Sequence, residues 1–191
     1  MYRFLIEAIA AKAREKSPLL VAIEGMSGSG KSSAAAHLAS RLDCHVFHMD
    51  DFFLPLSAKT PGRLAIPGGN VDHERFLEEV LGPLSRGEAF SYRPFDCSRQ
   101  ALGDPIKVTP GPISIVEGVY SMHPSLRALY GMTVFFSVDR EEQSRRILDR
   151  NGAAMHRRFV EEWIPLENAY FAAARPMESA DLVWKSPAIT R

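Results

Sequence analysis

The sequence predicts an α/β sandwich with a largely parallel sheet. Three observations predict it. Short apolar runs alternate with segments of helical period, a glycine-rich loop joins an early run to the helix after it, and acidic residues close later runs.

The elements follow in order. Phe4, Leu5, Ala8, Ile9 and Ala13 recur at helical spacing, so a first helix lays one face on the core. After Pro18, the run Leu19–Glu24 suits a buried parallel strand. Ala35, Leu38, Ala39 and Leu42 line one side of the next helix, and Cys44–Met49 is a second strand ending at Asp50–Asp51. Residues 54–70 are rich in Pro and Gly and lack a period, which predicts a surface excursion. Val71–Leu84 resumes a helix with Asp72 as its cap, and residues 86–111 form a second irregular section. Strands are expected at Ile113–Gly118 and Met132–Val138. Asp139 caps a helix after them, a further helix from about 155 to 174 bends at Pro165, and Ala180–Lys185 supplies a last strand. Phe159, Trp163, Leu166 and Tyr170 fall at three- and four-residue spacings and read as core packing rather than a stacking platform.

The 191 residues suit one core, so a single domain over residues 1–191 is expected. Lys plus Arg and Asp plus Glu are 23 each, a balance that gives no global pull towards nucleic acid or anionic membrane. Cys44 and Cys97 lie far apart without a CxxC, which argues against a disulfide framework or a thiolate metal site. The N-terminal segment carries Glu7 inside its apolar part, unlike a signal peptide, and no stretch is long enough to span a bilayer. A cytoplasmic protein is expected.

Gly25-Met26-Ser27-Gly28-Ser29-Gly30-Lys31-Ser32 matches GxxxxGK[ST] in full, between an apolar strand and a helix. Glycines permit the tight turn and leave backbone N–H groups free for phosphate oxygens, and the positive end of the helix adds to them. Lys31 would reach β- and γ-phosphates, Ser32 would complete a Mg²⁺ shell, and Ser33 extends the grip. ATP and Mg²⁺ are therefore the expected cofactors, in a P-loop NTPase sandwich. Side chains alternate along a strand, so one of Asp50 and Asp51 is expected to address the phosphate crevice, to orient a hydroxyl or help hold magnesium. Glu117, after Ser114-Ile115-Val116, could bind Mg²⁺ directly or through water.

These motifs resemble the uridine kinase and phosphoribulokinase branch of P-loop kinases, above all its small bacterial uridine-kinase-like members. Asp50-Asp51-Phe52-Phe53 is similar to the family's catalytic Asp followed by a variable residue and two aromatics, which implies Asp50 as the base. Asn70-Val71-Asp72-His73 resembles the segment whose Asp holds the acceptor's ribose hydroxyls, and Glu117-Gly118 resembles the Glu-Gly after the third strand. Tyr92, Ser98 and Arg99 match the nucleoside-facing segment, whereas Cys97 stands where uridine kinases have a histidine. Because a thiol is a weak hydrogen-bonding group, that departure leaves the acceptor's base open. Arg145 and Arg146 match the arginines of a lid near 145–158, Arg150 is a further candidate, and Arg157 and Arg158 at its far end could close on the acceptor or phosphates. Arginine suits such a lid because its fork binds phosphate oxygens bidentately. A solvated basic face is the other reading of the helix.

The resemblance implies an ATP-dependent kinase with the catalytic set Asp50, Lys31 and Arg146, and excursions near 54–70 and 86–111 that bind a small-molecule acceptor. Nucleic acid and membrane are not expected partners, and a homo-oligomer is left open. Two alternatives stand beside a nucleoside kinase. One is a kinase for another hydroxyl metabolite, such as a vitamin precursor or sugar. The other is a regulatory nucleotide-binding protein.

Overall fold

A computed structural model describes residues 2–187 of the chain. Helix α1 (Arg3–Glu15) leads into β1 (Leu19–Gly25), the glycine loop, α2 (Lys31–Ala39) and β2 (Cys44–His48). The middle of the chain carries short elements: α3 (Pro61–Leu64), α4 (His73–Phe76), α5 (Gly82–Arg86), β3 (Phe90–Tyr92), β4 (Phe95–Asp96), β5 (Ala101–Leu102) and β6 (Ile106–Val108). Then come β7 (Ile113–Glu117), β8 (Met132–Ser137), α6 (Arg140–Arg158), α7 (Ile164–Ala174), α8 (Pro176–Ser179) and β9 (Leu182–Lys185).

Five strands form the main sheet in the order β2-β7-β1-β8-β9, each pairing parallel. Parallel strands need crossovers, and the helices that supply them cover both faces. Successive β1 residues serve opposite cores. Val21 and Ile23 pack with Leu5, Ile9, Ala35 and Leu38 from α1 and α2. Leu20 and Ala22 pack with Phe52, Phe76, Val80 and Tyr170 on the other side. Burial on both faces explains why β1, β7 and β8 appear in the sequence as unbroken apolar runs.

Several segments differ from expectation. Strand β2 ends at His48, and Met49–Phe52 forms a 3₁₀ turn that carries both aspartates. The excursion at 54–70 contains α3, capped by Thr60 and tied down by Arg63, which donates to the carbonyls of Gly69 and Val71 and pairs with Glu74. Residues 86–111 hold two antiparallel pairs, β3 with β6 and β4 with β5, whose two- and three-residue strands are too short to show a period. Asp72 does cap the next helix, accepting from Arg75 N at 3.1 Å, and this helix passes through a π turn at Leu77–Leu81 before α5. Helix α6 is interrupted at Gly152 (φ 77°, ψ 169°). Where a bend is expected at Pro165, a second π turn, Phe159–Trp163, ends just before α7, and Pro165 stands in the first turn of that helix. Among the described residues, no helix is long and apolar enough to cross a membrane.

Candidate active site

The site lies beyond the carboxyl ends of β1, β2 and β7, where ligands of open parallel sheets bind. Gly25 sits at φ 142°, and a Cβ there would lie 2.0 Å from the carbonyl oxygen of Phe136 on β8. Only glycine lets the loop leave the sheet this closely. Gly28 and Gly30, at φ 74° and 92°, turn the backbone onto α2. Lys31 is buried, and its ammonium donates to the carbonyls of Gly25 (2.8 Å) and Met26 (3.0 Å). Ser29, within the loop, is buried, and its carbonyl accepts from the Ser186 hydroxyl.

Register brings the acidic strand ends together, because Glu117 on β7 is opposite Ile23 on one side and His48 on the other. The Ser32 hydroxyl donates to Glu117 Oε2 at 3.2 Å, while Oε1 meets His48 Nδ1 at 2.6 Å. That carboxylate raises the pKa of the His48 imidazole. Asp50 opens onto the same cleft. Although its carboxylate is exposed to the cleft, the protein mass around it raises its pKa by desolvation, against the pull of Lys31. Asp51, one step around the 3₁₀ turn, lies in the fields of His48 and Arg75 and outside the cleft lining. The two carboxylates therefore do diverge, by a 3₁₀ turn rather than by strand alternation.

Two further carboxylates were not singled out from the sequence. Glu24 is fully buried under the loop and accepts from the N–H groups of Gly25 (2.9 Å), Tyr120 (3.1 Å) and Met122 (3.0 Å) and from the hydroxyl of Tyr170 (3.0 Å). Burial raises its pKa to about 7, against the pull of those donors. Glu167 on α7 is buried over the loop, accepts from Ser27 N at 3.1 Å and also takes the Ser27 hydroxyl. Burial raises its pKa as well. A local signal exists for Glu24, an acid ending an apolar strand before the loop. None exists for Glu167, whose partner lies 140 residues away.

The cleft has a volume of about 1360 Å³. Ser27 to Ser33, Asp50, Glu117, Arg146 and Arg150 all line it. Arg146 reaches the loop directly, with Nη1 3.2 Å from the Gly28 carbonyl and Nε 2.7 Å from Glu142. Arg145 is turned along the helix to Glu142 and Asp149 and does not line the cleft. The acceptor candidates divide in a similar way. Cys97 and Ser98 reach the lining, whereas Tyr92 is buried against Phe47 and Phe52, Arg99 is exposed elsewhere, and Asp72 faces a separate small pocket beyond Phe53. Phe159, Trp163 and Leu166 are a correction to the core reading, because all three line the cleft and only Tyr170 is core. Phe159 and Trp163 meet edge to face at 4.5 Å, with the Arg158 guanidinium 4.8 Å from the Trp163 ring.

The loop fits a nucleoside triphosphate, because glycines at positive φ present its backbone to the cleft beside the start of α2. The Ser32 hydroxyl and Glu117 carboxylate form a hard-oxygen pair suited to Mg²⁺, with Asp50 on the same cleft.

No protein-family profile matches the chain. Its fold is similar to that of a possible uridine kinase from Bacillus stearothermophilus, with 19% identity, a TM-score of 0.73 and 95% of each chain covered. A protein provisionally described as a fructose transport system kinase, from Silicibacter sp. TM1040, is 26% identical with a TM-score of 0.71, covering 96% of this chain and 98% of that one. A provisionally described P-loop containing kinase from Saccharomyces cerevisiae is 12% identical with a TM-score of 0.67, covering 98% and 99%. The chain therefore has the fold of the P-loop kinases and resembles several small-molecule kinases.

Proposed function

We propose that the protein is an ATP-dependent kinase that phosphorylates a hydroxyl of a small, nucleoside-like molecule. The observation that carries this reading is the approach of Ser32 and Glu117 to 3.2 Å on the floor that Asp50 shares. In such a reaction the protein positions reactants and stabilises charge, and no covalent intermediate is needed. Asp50 orients the acceptor hydroxyl and takes its proton as the oxygen attacks. Lys31 leaves its two carbonyl partners to meet charge on the transferring group. Arg146 braces the loop from above. Ser32 and Glu117 would hold Mg²⁺, which when bound neutralises charge on the phosphates.

A second reading, a kinase for another hydroxyl metabolite, is favoured by the acceptor end of the cleft. Phe53, Leu56, Cys97, Phe159, Trp163 and Leu166 make it largely apolar, and neither Tyr92 nor Asp72 reaches it. The likeness to the protein described as a fructose transport system kinase points the same way. ATP consumption measured alone and with nucleosides, pantothenate and sugars separates the readings. A nucleoside should stimulate it most, and folded Lys31→Ala should abolish it. Slow hydrolysis that no acceptor stimulates would replace both kinase readings with a regulatory nucleotide-binding protein.

A further inference from the structure

The contact between Glu167 and Ser27 puts an anion on a phosphate-binding loop. Ser27 is the third residue of the GxxxxGK[ST] segment, and a backbone N–H in such a loop is a donor for phosphate oxygens. In this structure that N–H donates to Glu167 Oε2 at 3.1 Å, and the hydroxyl of the same residue donates to Oε1. Both carboxylate oxygens are thus spent on one residue. The place is also specific along the loop. Lys31, the side chain expected to meet β- and γ-phosphates, rests on the carbonyls of Gly25 and Met26, immediately before Ser27. Ser27 therefore lies at the end of the loop where the terminal phosphate belongs, away from the α2 amides.

We propose that Glu167 senses the donor's terminal phosphate, occupying the two donors of Ser27 when that phosphate is absent and giving them up when it enters. A carboxylate and a phosphate oxygen cannot share this place, because both are anions and both need the same N–H. The exchange is confined to the Glu167 side chain, since Tyr170, three residues further along α7, anchors the helix to Glu24. Glu167 therefore discriminates against the triphosphate relative to the diphosphate, which lacks the competing group. After transfer it reoccupies Ser27, so that the loop does not hold a terminal phosphate again until a new donor arrives. The inference rests on the nucleotide-binding reading of the loop.

Calorimetry on the full chain with Mg²⁺ tests it, with ADP and a non-hydrolysable ATP analogue as separate titrants. Glu167→Gln keeps an acceptor for the Ser27 N–H but removes the charge. It should bind the analogue about tenfold more tightly, within the usual span of coupling between sites, while ADP changes less than about twofold. Ser27→Ala removes only the hydroxyl and should shift the same ratio in the same direction by less, which keeps the test informative if Glu167→Gln folds poorly. An unchanged analogue-to-ADP ratio, or equal weakening of both ligands, would show that Glu167 merely shapes the loop and would overturn the proposal. Failure of the wild-type chain to bind either ligand would instead remove the nucleotide-binding reading, and the proposal with it.

Discussion

The hydroxyl of Tyr170, on the helix that lines the cleft, donates at 3.0 Å to Oε2 of Glu24, on the strand that feeds the phosphate loop. Glu24 also holds the N–H groups of Tyr120 and Met122, just past Glu117. One buried carboxylate thereby joins β1, the segment after β7 and α7 beneath the cleft.

Tyr170→Phe removes this donor without opening a cavity. It should destabilise the protein by about 1–3 kcal/mol, as expected when a buried acceptor loses a partner. Urea denaturation with an unchanged m-value would read the loss. A midpoint equal to that of the wild type would show that the tyrosine contributes by packing alone.

The legible parts of the fold were those with local causes. Strands β1, β7 and β8 are buried on both faces and so are continuous apolar runs, and the loop glycines mark a backbone that no other residue could follow. Asp72 and Asp139 cap helices as expected, because capping is settled within three residues. The short strands β3 to β6 left no pattern, since alternation over two or three residues is indistinguishable from chance. Glu24 has a local signal as an acid ending an apolar strand, but its joining role, like that of Glu167, comes from partners 96 to 146 residues away and is not legible in the sequence. Trp163 was read as core because helical spacing identifies an apolar face but not whether that face meets protein or an open cleft.

His123 stacks on His73 at 3.8 Å, and the Ser125 hydroxyl lies 2.8 Å from its Nδ1 and 3.2 Å from that of His73. Burial lowers the His123 pKa to about 4, with His73 adding to the effect and Glu74 opposing it. Protonation is thus disfavoured in the folded state, so the stability that neutral His123 contributes is present above about pH 6.5. It is lost as pH falls towards 4. The wild type should therefore lose stability over that window relative to His123→Phe, which keeps the ring stack but cannot titrate, by about 1 kcal/mol because solvent screens this half-buried ring. Urea midpoints of both proteins at pH 7 and pH 4.5 check this. Parallel losses would place the acid sensitivity elsewhere.

Arg146 uses its guanidinium in three directions, to Glu142, to the Gly28 carbonyl and, at 2.6 Å, to the Pro187 carbonyl. Lysine keeps the charge but cannot span these acceptors. Arg146→Lys should lower turnover by roughly tenfold, a little over 1 kcal/mol of transition-state stabilisation, with a smaller change in the KM for ATP. Arg145→Lys should cost less, because Arg145 spends its contacts on Glu142 and Asp149 along the helix. Equal effects of the two replacements would show that helix surface charge, and not contact with the loop, is what matters.

The sharpest expectation concerns Asp50 and Asp51. Both belong to the 3₁₀ turn Met49–Phe52, yet Asp50 lines the cleft with Glu117 and Ser32, while Asp51 does not. Asp50→Asn keeps the shape of the side chain and removes its charge and basicity. Turnover should fall by roughly 10²–10⁴-fold if Asp50 takes the proton from the acceptor hydroxyl. A loose phosphoryl-transfer transition state would make early deprotonation unimportant, and the loss would then reflect a misaligned hydroxyl. The two causes separate in single-turnover measurements across pH. Loss of a base removes the pH dependence of the transfer step, whereas loss of alignment lowers the rate and leaves the profile in place. ATP affinity should survive in either case, because on the proposed reading the loop backbone and Lys31 would supply the phosphate grip. Asp51→Asn should cost much less. A nearly active Asp50→Asn beside a folded, inactive Asp51→Asn would move the catalytic role one residue along the turn.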